Sequence, residues 1–194
     1  MSKILPIVWH DQRNNTIAPH GTCNATSIAM IMQYKGLLAG WDKEGQLDDF
    51  VTRHLDTPDA WEIHKKTMPT DWRNYNPRNN PFVLKWYFNS IGIDDNFIQL
   101  SKNDNAIQLI KNCINRDMPV IMTGNYTRKR TNGTQDVITH INVAVGYDDN
   151  NIIVNDPFGS MLNYYLPFPN DGDHVVVPNE FLKEHITQLH ILSV

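Results

Sequence analysis

The hydrophobic period of this chain changes once, near residue 118, and the change limits the folds open to it. Before that point apolar residues recur at helical spacing, as in Ile28, Ala29, Ile31 and Met32, then Leu47, Phe50, Val51 and Leu55, then Ile107, Ile110 and Ile114. After it the pattern is that of strands, at residues 118–123, 137–147, 152–156 and 188–194. Helices first and an antiparallel sheet second define an α+β architecture rather than a doubly wound parallel sheet. With 194 residues the expectation is a single domain, 1–194, with a helical part over about 1–117 and a sheet part over about 118–194.

Local chemistry marks the element ends. A short extended entry is expected at residues 4–9. A first helix runs from Cys23 to about Leu38, weakened at Gly36 and closed at Gly40. Pro58 starts a helix over 58–67, and Asn80-Pro81 starts another, with a capping side chain before a proline whose missing N–H costs the first turn nothing. Phe82, Leu84, Trp86, Tyr87 and Phe88 then read as core, and Gly92 as the stop. Asn105 caps a helix that reaches Arg116 and buries Cys113, so that thiol should titrate high. Residues 68–78, with Pro69, Trp72, Tyr75 and Pro77, read as a surface connection or a cleft wall. Residues 124–136 read as a polar loop with a hairpin turn at Asn132-Gly133. Its basic Arg128-Lys129-Arg130 can be a solvated tip or can meet an acidic substrate. Residues 161–168 are expected to pair again, 170–174 to turn, and 178–185 to form a short helix.

Composition narrows the function. A net charge of −4 gives no reason to expect nucleic acid or an anionic membrane as partner. No apolar run approaches the roughly 18 residues of a membrane span, and the start lacks a signal-peptide core, so a cytoplasmic location is expected. Two cysteines, Cys23 and Cys113, are too few for a disulfide scaffold. The metal-ligand spacings of zinc enzymes are missing, so neither metal nor cofactor is expected.

The stretch Gly21-Thr22-Cys23-Asn24-Ala25-Thr26-Ser27 places a cysteine at a helix start. Thr22 can cap that helix. The macrodipole and free N–H groups there favour a thiolate, the nucleophilic form. A nucleophile needs a base, and the base an orienting partner. His10 and His20 flank Cys23 without an identifiable partner. His140 opens an otherwise apolar strand, and Asn155-Asp156 lies on the next one before Pro157. If Tyr147 pairs with Ile152, Asn155 shares the face of His140; an odd connection puts Asp156 there instead. Gln12 can donate a side-chain amide to an oxyanion, an interaction worth about 3 kcal/mol where it has been dissected.

These segments resemble the papain-like C39 and C39-like cysteine peptidases. The resemblance rests on Gln12, on Gly21 to Ser27, on His140-Ile141-Asn142-Val143-Ala144-Val145-Gly146-Tyr147, and on Ile153-Val154-Asn155-Asp156-Pro157-Phe158-Gly159. It implies a papain-like fold with N-terminal helices packed on a C-terminal antiparallel sheet. It further implies Cys23 as nucleophile, His140 as base, Asp156 as orienter and Gln12 as oxyanion donor. The family includes the leader-cleaving domains of bacteriocin exporters and standalone bacterial and phage proteins. The function expected is a cysteine-dependent hydrolase that cleaves a peptide, isopeptide or related amide bond of a peptide or protein substrate. Acyl or peptidyl transfer by the same triad is one alternative. An inactive papain-like protein that binds a partner is another.

Overall fold

The computed structural model describes residues 2–37, 44–68, 70, 73, 75–101, 105–166 and 171–193. The chain opens with β1 (Lys3–Ile4) and a 3₁₀ turn at Gln12–Asn14, followed by α1 (Cys23–Tyr34), α2 (Glu44–His54) and α3 (Pro58–Thr67). A second 3₁₀ turn (Pro77–Asn79) leads into α4 (Pro81–Ser90), β2 (Asp94–Gln99) and α5 (Ala106–Asn115). The sheet continues with β3 (Val120–Lys129), β4 (Gln135–Tyr147) and β5 (Asn151–Asn155). A third 3₁₀ turn (Met161–Asn163), β6 (Val175–Pro178), α6 (Asn179–His185) and β7 (Ile186–Ser193) complete it.

The strands form one antiparallel sheet in the order β2-β7-β3-β4-β5-β6, with β1 beside β4. The sheet is therefore not confined to the C-terminal part, since β1 and β2 come from before residue 118. The sequence pattern does not announce β2, because Asp94-Asp95-Asn96 is polar at the start of an edge strand, where hydrophobic alternation is weakest. Its place is set by pairing with β7, where Asp95 Oδ2 lies 2.7 Å from His190 Nδ1, both fully buried.

Helix starts follow their local chemistry. The Asn80 side chain accepts from Phe82 N at 2.9 Å, with Pro81 first in α4. Thr57 and Asn105 cap α3 and α5 in the same way. Each such cap is worth about 1 kcal/mol. α1 ends at Tyr34, short of the expected Leu38, because Gly36 turns the chain with φ +67°. Leu38, Gly40, Pro69, Trp72, residues 167 and 168, and Asn170, on which other expectations fell, lie outside the described residues.

α1 is the centre of the core. Every residue from Asn24 to Met32 is buried, and the helix packs on β4 and α2. Truncating Ile28, fully buried there, to alanine should cost about 2–5 kcal/mol. Its buried polar groups are answered: Asn15 Nδ2 donates to Thr22 Oγ1 at 2.8 Å and Thr26 Oγ1 at 3.0 Å. The Thr22 hydroxyl thus serves Asn15 and makes no capping bond to α1, contrary to expectation.

The polar loop expected at 124–136 is mostly strand. β3 and β4 pair out to Lys129 and Gln135, leaving a tight turn with Gly133 at φ +84°. Polar strand residues hid this, because the hairpin extends beyond the core. Arg128 there grips Asp136 with two hydrogen bonds of 3.0 and 2.6 Å, and Arg130 adds a third at 2.8 Å. Residues 161–165, expected in a strand, form a 3₁₀ turn followed by Tyr164 and Tyr165 at φ +54° and +59°. The left-handed backbone at both tyrosines is incompatible with strand pairing.

Candidate active site

Cys23 is the first residue of α1 and is half-buried. The start of α1 is fixed from two sides: Asn15 holds Thr22 and Thr26, and the Asn24 side chain donates to Arg78 O and to Asn79 Oδ1. That second anchor draws the 3₁₀ turn at Pro77–Asn79 against the cysteine.

Across from Cys23, β4 presents His140, 3% exposed. Its Nε2 lies 2.7 Å from Asp156 Oδ1. Its other ring nitrogen is left for the sulfur, with which the imidazole interacts. Burial opposes ionisation of Cys23, but the charge and hydrogen bond of His140 outweigh it, helped by the backbone N–H groups of Ile141 and Asn24. The thiol therefore titrates below its ordinary value. Burial likewise opposes a charged His140, and the Asp156 carboxylate together with Cys23 overcomes it, raising the imidazole to about 10. The two directions together favour a thiolate–imidazolium pair over a neutral one.

Aromatic rings enclose the imidazole. Tyr165 meets it edge-on at 5.4 Å between centroids, and Phe158 and Tyr126 lie at 6.2 and 6.4 Å. They keep water from the His140–Asp156 bond, where low polarity strengthens the electrostatics.

Of the two candidate orienters, Asp156 meets His140 and Asn155 does not. Tyr147 does pair with Ile152, but a β-bulge between Ala144 and Gly146 shifts the ladder, so that Asn155 pairs with Val143. Asn155 turns away and ties the scaffold instead, donating to Ile7 O at 2.9 Å and accepting from His174 N at 3.1 Å. Asp156 is held by its backbone as well: its N–H donates to Gly172 O at 2.8 Å, and its carbonyl accepts from Trp9 Nε1 at 2.7 Å. Trp9 and Gly172 are not recognisable in this place from sequence, because neither bears on chemistry by residue type.

Gln12 is buried beside Cys23, its backbone N–H on Pro157 O at 2.9 Å and its Nε2 donating to Pro19 O at 2.9 Å. One amide hydrogen of that NH₂ group remains for the cleft. His20 lines the same cleft from an exposed position, but His10 does not reach it. His10 is buried between Asp48, 3.0 Å from Nδ1, and Gln33, 2.8 Å from Nε2, and joins α2 to α1. Cys113 is buried on α5, and burial raises its thiol pKa, as its helical spacing predicts.

Two hollows flank Cys23. One, about 580 Å³, is lined by Met68, Tyr75, Leu84, Thr123, Ile141 and Gln188. The connection at 68–78 thus contributes a wall. The other, about 220 Å³, is lined by Gln12, His20, Arg128, His140 and Phe158. A third cavity of about 570 Å³, bordered by Met32, Phe50, His54 and Trp86, lies away from the cysteine. Among the described residues no cluster of side chains is suited to hold a metal ion, and no helix is long and apolar enough to cross a membrane.

A cysteine at the head of a buried helix, facing a histidine on an antiparallel sheet, is the architecture of the papain-like cysteine peptidases. The chain belongs to the Peptidase_C39 like family, whose model matches residues 3–169. A crystal structure of a C39-like peptidase from Bacillus anthracis superposes with a TM-score of 0.51 at 16% identity, covering 100% of this chain and 98% of that one. The Pseudomonas avirulence protein AvrPphB aligns at a TM-score of 0.33 and 10% identity, over 98% of each chain. No functionally curated protein matches the chain.

Proposed function

We propose that this protein is a thiol hydrolase that cleaves a peptide, isopeptide or related amide bond through Cys23, His140 and Asp156. The observation that carries the reading is the continuous chain from the Cys23 sulfur through the buried His140 ring to Asp156 Oδ1, 2.7 Å from Nε2. In this reading the Cys23 thiolate attacks the carbonyl carbon. The oxyanion of the tetrahedral intermediate takes hydrogen bonds from the remaining Gln12 amide hydrogen and from the Cys23 backbone N–H, which has no intrahelical partner in the first turn of α1. His140 gives its proton to the leaving amine as the C–N bond breaks, leaving a thioester on Cys23. Water then attacks the thioester while His140 accepts its proton. Collapse of the second tetrahedral intermediate releases the acid, and the regained thiolate again faces a protonated imidazole.

The substrate in this reading is an extended peptide laid across Cys23, with one flank in the hollow bordered by Leu84 and Ile141 and the other in the hollow bordered by His20 and Arg128. The test is cleavage of a mixed peptide library, with products identified by mass spectrometry, for the wild type and Cys23→Ala. Cleavage confined to the wild type is expected. Equal cleavage by both proteins overturns the mechanism. An added amine that appears in the products redirects the reading to acyl transfer. A Cys23 with an ordinary thiol profile and no cleavage points to a binding protein.

A further inference from the structure

The environment of Asp156 leaves one polar atom unanswered. Its N–H and carbonyl are bound to Gly172 and Trp9, and Oδ1 accepts from both His140 Nε2 at 2.7 Å and Phe158 N at 3.0 Å. Oδ2 is fully buried and has no hydrogen-bond partner among the described residues. A buried carboxylate oxygen without a donor is costly. The complementary group lies beside it. The Tyr165 hydroxyl is also buried, also without a hydrogen-bond partner of normal geometry among the described residues, and close enough for the carboxylate to act on it.

The backbone is bent to put it there. Tyr165 follows Tyr164 in the left-handed region, an uncommon conformation for a bulky side chain. Its N–H donates to Ser160 O at 3.1 Å, and its ring is wedged between His140 and Phe158, at 5.4 and 5.5 Å. Tyr165 is 2% exposed, so water does not compete for the hydroxyl.

We propose that Tyr165 is a positioning residue of the site, its hydroxyl donating to Asp156 Oδ2 and so fixing the rotation of the carboxylate that orients His140. The inference rests on the thiolate–imidazolium reading above. The titratable groups around Asp156 are His140 on β4, Tyr126 on β3, Cys23 on α1 and Tyr165 itself. Burial keeps both phenols protonated, so Tyr165 is a donor at every working pH.

The sign of the effect follows. Without the donor the Asp156 carboxylate is free to turn away from His140 Nε2. Its support of the imidazolium weakens, and the thiolate retreats to higher pH. The experiment measures the iodoacetamide rate at Cys23 against pH, with sites read by mass spectrometry, for wild type, Tyr165→Phe, Tyr165→Leu and His140→Ala. Tyr165→Phe keeps the ring and should move the acid limb up by about half to one pH unit. Tyr165→Leu should move it as far and also lower Tm. The downfield proton resonance of the His140 Nε2–H should shift in Tyr165→Phe, a readout that does not depend on alkylation. If the wild type labels fast at low pH and depends on His140, but Tyr165→Phe has the same acid limb and the same resonance, the proposal is overturned and the triad reading stands. If the wild type shows no His140-dependent labelling, the triad reading falls and this inference with it.

Discussion

Asn155 stands opposite Val143 across the β4–β5 ladder, one residue out of step with the Tyr147–Ile152 pair that begins it. The extra residue is Val145, whose carbonyl accepts from Leu5 N at 2.7 Å. Without this bulge Asn155 would share the face of His140. With it, Asp156 shares that face, and the imidazole meets a carboxylate. A bulge that re-aims one side chain beside a cleft is a recurrent use of the motif.

Exchanging the two neighbours separates scaffold from site. Asp156→Asn should leave the fold intact and lower turnover by roughly two to four orders of magnitude, because the imidazolium loses its counter-charge and its fixed tautomer. Asn155→Ala should instead lower stability by about 2 kcal/mol through two lost hydrogen bonds. The shape of its pH profile should stay that of the wild type. Thermal unfolding and peptide cleavage, measured on both variants, check the division.

The pH dependence follows from the two shifts. Cys23 titrates below the ordinary 9.0 of a thiol and His140 above the ordinary 6.5 of an imidazole. The ion pair therefore exists between the lowered thiol value and the raised imidazole value. Alkylation of Cys23 should rise from an acid limb to a plateau through neutral pH. In His140→Ala only the burial effect and two backbone N–H groups remain, so the labelling curve should move to alkaline pH. A His140→Ala curve that overlays the wild type would show that the histidine does not activate the thiol.

Gln12→Ala should lower kcat by about 10²–10³ with little change in KM, the pattern of a donor that acts on the intermediate rather than on bound substrate. Gln12 Nε2 also holds Pro19 O at 2.9 Å. Tm should therefore be measured alongside, and the alkylation rate of Cys23, which needs no oxyanion donor, should stay close to wild type.

Gly172 tests the support beneath Asp156. A Cβ there would collide with Asp156 O and lie 2.8 Å from Trp9 Nε1. Backbone cannot yield to that contact as a side-chain tip can. Gly172→Ala should cost about 1–3 kcal/mol in stability as an overpacked site. It should also lower turnover, because it pushes on the residue that aims His140. A variant with wild-type Tm and activity would show that the Trp9–Asp156–Gly172 contact is dispensable.

Much of this protein is written in local residue chemistry. Asn80-Pro81, Thr57-Pro58 and Asn105 place helix starts because capping needs only a side chain and the next few N–H groups. The apolar run after Cys23 predicts a buried helix, and α1 is that helix. The change of period predicts α+β; residue type and order mark Cys23 and His140 as candidates and leave Asn155 and Asp156 open, while the roles of Asp156 and Gln12 come from the family resemblance. Tertiary structure decided the rest. β2 is a strand because β7 pairs with it, not because Asp94-Asp95-Asn96 favours one. His10, a candidate base by its nearness in sequence, is taken by Asp48 from α2. The choice between Asn155 and Asp156 turned on Val145, a residue with no chemistry of its own. A bulge is set by how β1, β4 and β5 fit together, and side-chain alternation along a single strand carries no record of it.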